Sequence, residues 1–395
     1  LTSYAWFWSV FKDDIARRYT QPLFFFKYYG FDWVLYPSDA GIYALYCLWI
    51  IGSIGIFFGA FYRFSILLFM FSFGYLQLID ASNYINHCYA LLIFSFCLLW
   101  IPAHTRFSVD VWRKPSLKTL QAPVLYLYVL RVQIAIIYTF AALAKLNSDW
   151  LLSAMPLKIW LLPQHDFPFI GFLFRYHSFH LLASWAAFIF DLCIVWCLLY
   201  SKTRIFAYIA VLLFHSLTGL LFNIGLFPLL MIVSTTLFFS PSFFERCLLT
   251  IDKTTLAASS SVRLPTTVPR ALKCLFLVHV LIQLLLPLRH VFLYNDHILW
   301  TENGYRFSWR VMLVEKEGYA TFYVKDSQSN RTWQVENSTY LTPFQEKRMA
   351  IRPYHLVQFG QFIGKEFTQK YKIEQVKVVV DVAVSLNARV SQSLM

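Results

Sequence analysis

Charge is scarce in this chain of 395 residues: Asp, Glu, Lys and Arg make up only 14% of it, where a soluble domain carries about 25%. Acidic residues are the scarcer sign, 21 against 34 basic ones. Several familiar devices are missing as well. No Gly-rich phosphate loop is present, no Ser-His-Asp order with a nucleophile elbow, and no paired-carboxylate signature, so the common phosphate-binding and hydrolytic motifs are not the source of any chemistry here. There is no internal repeat, and the sole biased tract is the serine linker Ser259–Ser261. The cysteines Cys47, Cys88, Cys97, Cys193, Cys197, Cys247 and Cys274 lie almost entirely in apolar runs, and none follows Cys274. They read as small buried hydrophobes. Cys193 and Cys197 stand one helical turn apart without a histidine or acidic residue at ligand spacing, so no metal site is expected.

What is abundant is apolar surface. Hydrophobic residues make up 58% of the chain and phenylalanine alone supplies 40, which points to lipid as solvent. The formal net charge of +13 does not indicate nucleic acid, because the basic residues sit in short loops between apolar runs, where topology is the usual cause. Eight runs are readable, at about 42–60, 64–79, 88–101, 123–145, 178–200, 203–222, 224–240 and 270–289. Several fall short of the ~20 residues a span needs, so their ends are expected to reach into the polar flanks. Leu1–Val10 reads as the tail of a further apolar stretch, and a ninth span is expected before it.

Alternating the loops gives two sides. One carries Arg63, Arg106, Arg113, Lys114, Lys118, Lys202, Arg204, Arg246, Lys253, Arg263 and Arg270. The other holds loops 80–87, 146–177 and the turn at Asn223, which are nearly free of Lys and Arg. The positive-inside bias makes the first side cytoplasmic. His87, Lys145, Asn223 and everything from His290 onward then fall on the non-cytoplasmic side, the lumen of the endoplasmic reticulum or a bacterial exterior. The expected architecture is a membrane all-α bundle over 42–289, preceded by a juxtamembrane segment 1–41 and followed by a small β-rich domain over 290–395. In that tail Tyr319–Val324 and Thr332–Val335 flank a hairpin turn, Lys377–Leu386 reads as a further strand, and Tyr354–Tyr371 as an amphipathic helix. Asn330 and Asn337 open glycosylation sequons.

Polar residues inside spans are costly and usually paired or functional. Asn83, Asn86 and His87 stand at i, i+3, i+4, one face of a helix start; a hydrogen-bonding wall and a helix N-cap both fit that spacing. Arg131, Tyr138 and Lys145 lie seven apart on one stripe of the fourth span, and Lys145 also fits a lysine snorkelling to the interface. Asp191, midway along the fifth span, is expected to pair with Arg131 or a histidine. His215 precedes Leu221–Phe227, where Gly225 allows a tight turn between spans.

These residues carry a resemblance. Arg131–Trp150 (RVQIAIIYTFAALAKLNSDW) resembles the lysine-bearing helix of the vitamin K-dependent γ-glutamyl carboxylase family, whose pattern is R-x-Q-I, a Tyr, then K-L-D-x-D-W. Asn86-His87 resembles that family's Asn-His pair, and Phe190-Asp191-Leu192, Phe214-His215 and Leu221-Phe222 also match. In the tail, Leu286-Pro287, His290, Trp300, Asn303-Gly304-Tyr305, Phe307-Ser308-Trp309 and Tyr340-Leu341-Thr342-Pro343 fall in the family order. The likeness spans about residue 30 to the end and is shared with bacterial membrane proteins that carry the same transmembrane domain. Vertebrate members have a lysine where this chain has Ala144, and a disulfide to the outer domain for which no cysteine remains here.

The resemblance implies carboxylation of a glutamate-containing protein or peptide at its γ-carbon, coupled to epoxidation of reduced vitamin K (phylloquinol or menaquinol), with O2 and CO2 as co-substrates and membrane lipid as surroundings. It implies Lys145 as the base toward the quinol and His87 as the residue that contacts its oxygen. Asn86, Arg131, Tyr138, His215 and Phe222 would surround the quinol, and Tyr340, Leu341 and Trp309 would contact the glutamate substrate. The role of Lys145 requires a neutral amine, a state an apolar surrounding favours over the ammonium. Two other readings stand beside it: a quinol-binding membrane protein with a different target, and a non-enzymatic transporter or lipid-binding bundle, although no pair of broken helices supports transport.

Overall fold

The computed structural model describes residues 14–119, 122–222, 224–241, 243–244, 246, 267–294, 297–373 and 376–394. Leu1–Val10, Asn223, Cys247, the serine linker and most of the loop 241–269 lie outside the described residues.

The apolar runs form α1 (Asp39–Phe58), α2 (Tyr62–Ile79), α3 (Asn86–Trp100), α4 (Val124–Ala144), α5 (His177–Leu199), α6 (Arg204–Leu221), α7 (Phe227–Thr235) and α8 (Arg270–Leu293). Six of them are long and apolar enough to cross a membrane; α3, and α7 with the 3-10 turn Thr236–Phe238 that continues it, are shorter. All eight begin and end within a few residues of the positions that hydropathy indicates. Ser38 caps α1 by accepting from the Gly41 N–H at 3.2 Å, as a free helix N-terminus requires. The turn to α2 is tight, and the two helices touch at small residues. A Cβ on Gly52 would stand 2.8 Å from the Phe69 amide nitrogen, the close backbone approach that glycine permits between membrane helices.

The helix α4 is the axis of the bundle. Among the described residues it buries 61% of its most apolar stretch, where α1, α6 and α8 bury 22% each. Its Val129, Ile134, Ile137 and Tyr138 pack on Ala90 and Cys97 of α3, Val195 and Leu198 of α5, Val211 of α6, Met231 of α7 and Phe276 of α8. The outward faces of the other helices carry exposed Ile205, Phe206, Leu213, Leu220 and Leu285, an apolar belt suited to lipid.

The tail folds on an antiparallel sheet of order β2-β1-β3-β4, with β1 Lys316–Asp326, β2 Thr332–Gln334, β3 Val376–Leu386 and β4 Gln392–Ser393. β1 and β3 pair from Lys316↔Leu386 to Asp326↔Val376, and β1 and β2 form the expected hairpin. The amphipathic helix α10 (Pro353–Tyr371), reached through α9 (Pro343–Ala350), lays Leu356, Phe359, Ile363 and Phe367 on Phe322, Val324, Val382 and Val384. Spacings of three and four put those four residues on one stripe. Asn337 is 6% exposed and its Nδ2 donates to Ala320 O and Glu346 Oε1. The sequon it opens is therefore folded into the domain rather than presented for glycosylation.

The start of the described chain belongs to this domain as much as to the bundle. Phe26 and Tyr28 lie in the core of the sheet and α10. The Lys27 N–H donates to Gln358 Oε1 and Gln358 Nε2 donates to Lys27 O, both at 3.0 Å. One glutamine then joins three elements. Gln345 completes the capping box of α9 with Thr342, and its Nε2 donates to Asp80 Oδ2 at 2.7 Å and to Phe24 O at 2.9 Å. Further ties run from Asn86 Nδ2 to Arg310 O at 3.1 Å and from Trp160 Nε1 to Glu315 Oε2 at 2.6 Å. The domain thus seats on the bundle end formed by segments 80–86 and 146–176.

Candidate active site

At that end α4 runs out at Lys145, its C-cap residue. The lysine does not snorkel outward. Its Nζ donates to Asp191 Oδ2 at 2.7 Å and to Ala141 O at 3.2 Å, and it lies 5.2 Å from the centre of the Trp150 ring. Lys145 and Asp191 are each 6% exposed. A buried ammonium unpaired with charge is expensive, which explains why a carboxylate stands opposite it on α5.

Asp191 therefore does not pair with Arg131 or with a histidine. Arg131 has turned to the far end of α7, where its Nε donates to Leu237 O at 2.8 Å and an Nη to Phe238 O and Phe239 O at 3.3 Å. Carbonyls at a helix C-terminus have no helical donor, and a guanidinium satisfies three of them at once. The shared stripe of Arg131, Tyr138 and Lys145 exists, but its members serve three different neighbours.

Two turns below Lys145, the Tyr138 hydroxyl and His215 Nε2 share a hydrogen bond of 2.8 Å. Phe190, Phe214 and Phe227 enclose the imidazole, with ring centres 6.0, 5.3 and 6.2 Å away. The turn after α6 links this group to His87. Gly225, at φ +61°, lies so close to that ring that a Cβ there would stand 3.2 Å from His87 Cε1, while Phe227 meets His215. His87 is half-buried on the first turn of α3. Among the described residues no hydrogen bond joins it to Lys145. Phe222 packs beside Trp160, ring centres 5.8 Å apart.

The expected single face of Asn83, Asn86 and His87 is broken. Asn83 closes a 3-10 turn, Ala81–Asn83, and extended backbone at Ile85 separates it from α3. Asn86 is used structurally: it accepts from the Tyr84 hydroxyl at 3.0 Å while donating to Arg310 O.

Of the three residues expected at the glutamate substrate, Trp309 is fully buried against Tyr89, and its Nε1 finds no hydrogen-bond partner among the described residues. Leu341 is in the domain core, and Tyr340 is half-buried with its ring edge-on to Phe362. Trp309 belongs to the bundle cluster and the other two to the sheet cluster, so the structure separates them.

Sequence reasoning passed over a polar ladder beside Trp309. His279 Nε2 donates to Gln133 Oε1 at 3.0 Å, Gln133 Nε2 to Gln283 Oε1 at 3.3 Å, and Gln283 Nε2 to the Tyr89 hydroxyl at 2.6 Å. The signal was available, since Gln133, His279 and Gln283 are all polar residues within spans. Outside the membrane, Asp149 accepts from Asn387 Nδ2 at 2.7 Å and from an Nη of Arg389 at 2.8 Å. Burial pushes its carboxyl up, but these hydrogen bonds outweigh burial and hold it below the usual carboxylate range.

A buried amine, a phenol and two imidazoles among aromatic rings thus lie in the helical bundle of a multi-pass membrane protein, near the end on which the C-terminal domain seats. The chemistry of these residues fits a quinol: Lys145, His87, Tyr138 and His215 offer polar groups that could meet ring oxygens, and a side chain at Gly225 would crowd the His87 ring. Residues 4–243 match the HTTM domain family, and residues 268–395 match the family described as vitamin K-dependent gamma-carboxylase, lumenal domain. The chain belongs to the vitamin K-dependent γ-glutamyl carboxylase family. No solved structure matches it.

Proposed function

We propose that the chain carboxylates peptidyl glutamate at the γ-carbon and couples this to epoxidation of reduced vitamin K, using O2 and CO2, on the non-cytoplasmic side of the membrane. The observation that carries the reading is Lys145, an amine buried on Asp191 at the bundle end that seats the outer domain. When bound, reduced vitamin K supplies, on reaction with O2, a base strong enough to take the γ-proton that no side chain can remove.

The protein's own residues hold, orient and dry the reactants. Nζ of Lys145 takes the hydroxyl proton of the quinol. His87 hydrogen-bonds a ring oxygen and fixes the ring's orientation. The Tyr138–His215 pair closes the polar end of the pocket, with Phe190, Phe214, Phe222 and Phe227 as walls that exclude water. Arg131 and Asn86 hold those walls in place, through the end of α7 and the start of α3. Of the three residues expected at the glutamate, half-buried Tyr340 is the one that can contact it, while buried Leu341 and Trp309 support the surface from beneath.

The burial of Trp309 and Leu341 favours one second reading, in which quinol chemistry is retained and the target differs. Purified protein with vitamin K hydroquinone, labelled bicarbonate and a glutamate peptide separates the two. Label in the peptide is expected. Epoxide without label supports the second reading, and neither product removes both. Lys145→Ala is expected to abolish carboxylation and epoxidation together; epoxidation that persists without added amine overturns the assignment of the base.

A further inference from the structure

Lys145 poses a chemical problem that its surroundings resolve. An amine 2.7 Å from a carboxylate is, in its ordinary state, an ammonium in an ion pair, and an ammonium is not a base. Both groups lie in a water-poor interior, where two separated charges are costly and a shared proton relieves that cost. The protons of such a pair belong to the pair and not to either residue. Among the described residues, Nζ is the only donor that reaches the Asp191 carboxylate, so nothing else competes for its lone pairs. The other titratable groups nearby are taken. Tyr138 and His215 hydrogen-bond each other, and Asp149, on the turn after Lys145, is held by Asn387 and Arg389.

We propose that Asp191 is the proton acceptor behind Lys145, so that the working base of the site is the pair. This rests on the quinol-binding reading of the site. One proton on Nζ first passes along the existing hydrogen bond to Asp191 Oδ2, and the lone pair this frees on Nζ then takes the hydroxyl proton of the quinol. The ligand loses one proton, the carboxylate becomes a carboxylic acid, and Lys145 remains an ammonium beside the quinol oxyanion. No electron moves in this step. Asp191 acts through Lys145 and does not touch the ligand. Ala141 O also accepts from Nζ, at 3.2 Å, so two of the three N–H positions of the amine are held by the protein.

The test reads the proton directly. Infrared difference spectra are taken on the full chain in nanodiscs as vitamin K hydroquinone binds, without oxygen, CO2 or peptide. A protonated-carboxyl C=O band is expected in the wild type, displaced in Asp191→Glu and missing in Asp191→Asn. In carboxylation assays Asp191→Asn is expected to lower kcat about 10²-fold or more, the usual contribution of a placed acid–base group, with little change in quinone affinity, and Asp191→Glu to restore part of it. No band on binding, a band that persists unchanged in Asp191→Asn, or wild-type kcat in that variant overturns the proposal. Should Asp191→Asn not fold, the displacement of the band in Asp191→Glu decides, and an undisplaced band overturns the relay. A wild type that gains the band yet places no label in the glutamate peptide supports the relay and removes the carboxylase reading, so the two fail separately.

Discussion

A lysine at the end of a membrane helix can reach outward to headgroups or inward to a partner, and spacing along its own helix does not distinguish the two. Lys145 turns inward because the residue opposite it on α5 is an aspartate, a fact distributed over two spans 46 residues apart. Arg131 is the converse case. Its seven-residue spacing from Tyr138 was legible, but its neighbours were not, because backbone carbonyls leave no mark in a sequence. Arg131→Ala should therefore act on stability. It strands the carbonyls of half-buried Leu237 and buried Phe238 and Phe239, at a cost of about 1–3 kcal/mol, and should leave quinone affinity nearly unchanged. Thermal unfolding in detergent with a parallel quinone titration checks this; lost binding at unchanged stability would instead give Arg131 a direct contact with the ligand. Tyr138→Phe should cost about 1 kcal/mol through the lost bond to His215 Nε2, and here quinone affinity should fall as well.

Helices and strands were the most legible level, because hydropathy and two-residue alternation are local signals. The ends of α4, α5 and α10 fall within a residue or two of where those signals stop. What local signals could not place were the ties between distant segments: Gln345 to Asp80, Asn86 to Arg310, and the strap carrying Phe26 into the sheet domain. Asn83 shows the same limit, since helical spacing was present where the backbone is not helical. The turn between α6 and α7 is the element whose geometry bears most on the site. Gly225 adopts the left-handed region and lies against His87. Gly225→Ala should cost about 1–2 kcal/mol from the backbone conformation alone, and its methyl should displace the imidazole. Weakened quinone binding with folding intact is expected. Unchanged affinity in that variant would place the ligand away from His87.

At the scale of the molecule, the C-terminal domain carries buried charge beside its junction with the bundle, and pH should test how firmly that charge is held. His355 is fully buried, stacked on Phe26 at 4.4 Å, and its Nε2 accepts from an Nη of Arg306 at 2.7 Å. Burial, reinforced by Arg306, Arg352 and Arg348, drives its imidazole well below the ordinary histidine range. The folded protein therefore keeps His355 neutral while the unfolded chain protonates it, and stability must fall as pH drops below about 6.5, the unfolded histidine value. Glu302 acts in the same direction at lower pH. Burial raises its carboxyl, but Arg352, at 3.0 Å, and Lys316 together outweigh burial and leave it lowered, so its contribution is present above the unfolded value of about 4.3 and lost as pH falls through the lower folded one. Asp149, lowered by Arg389 and Asn387, follows Glu302. Melting temperature in detergent should thus decline in two stages on acidification, the first setting in below about pH 6.5 and the second joining it below about pH 4.3. His355→Gln retains an acceptor for Arg306 and removes the titration, so it should flatten the first stage and spare the second. A first stage that survives in that variant would assign the acid sensitivity to another histidine and leave the junction between bundle and domain insensitive to mild acid.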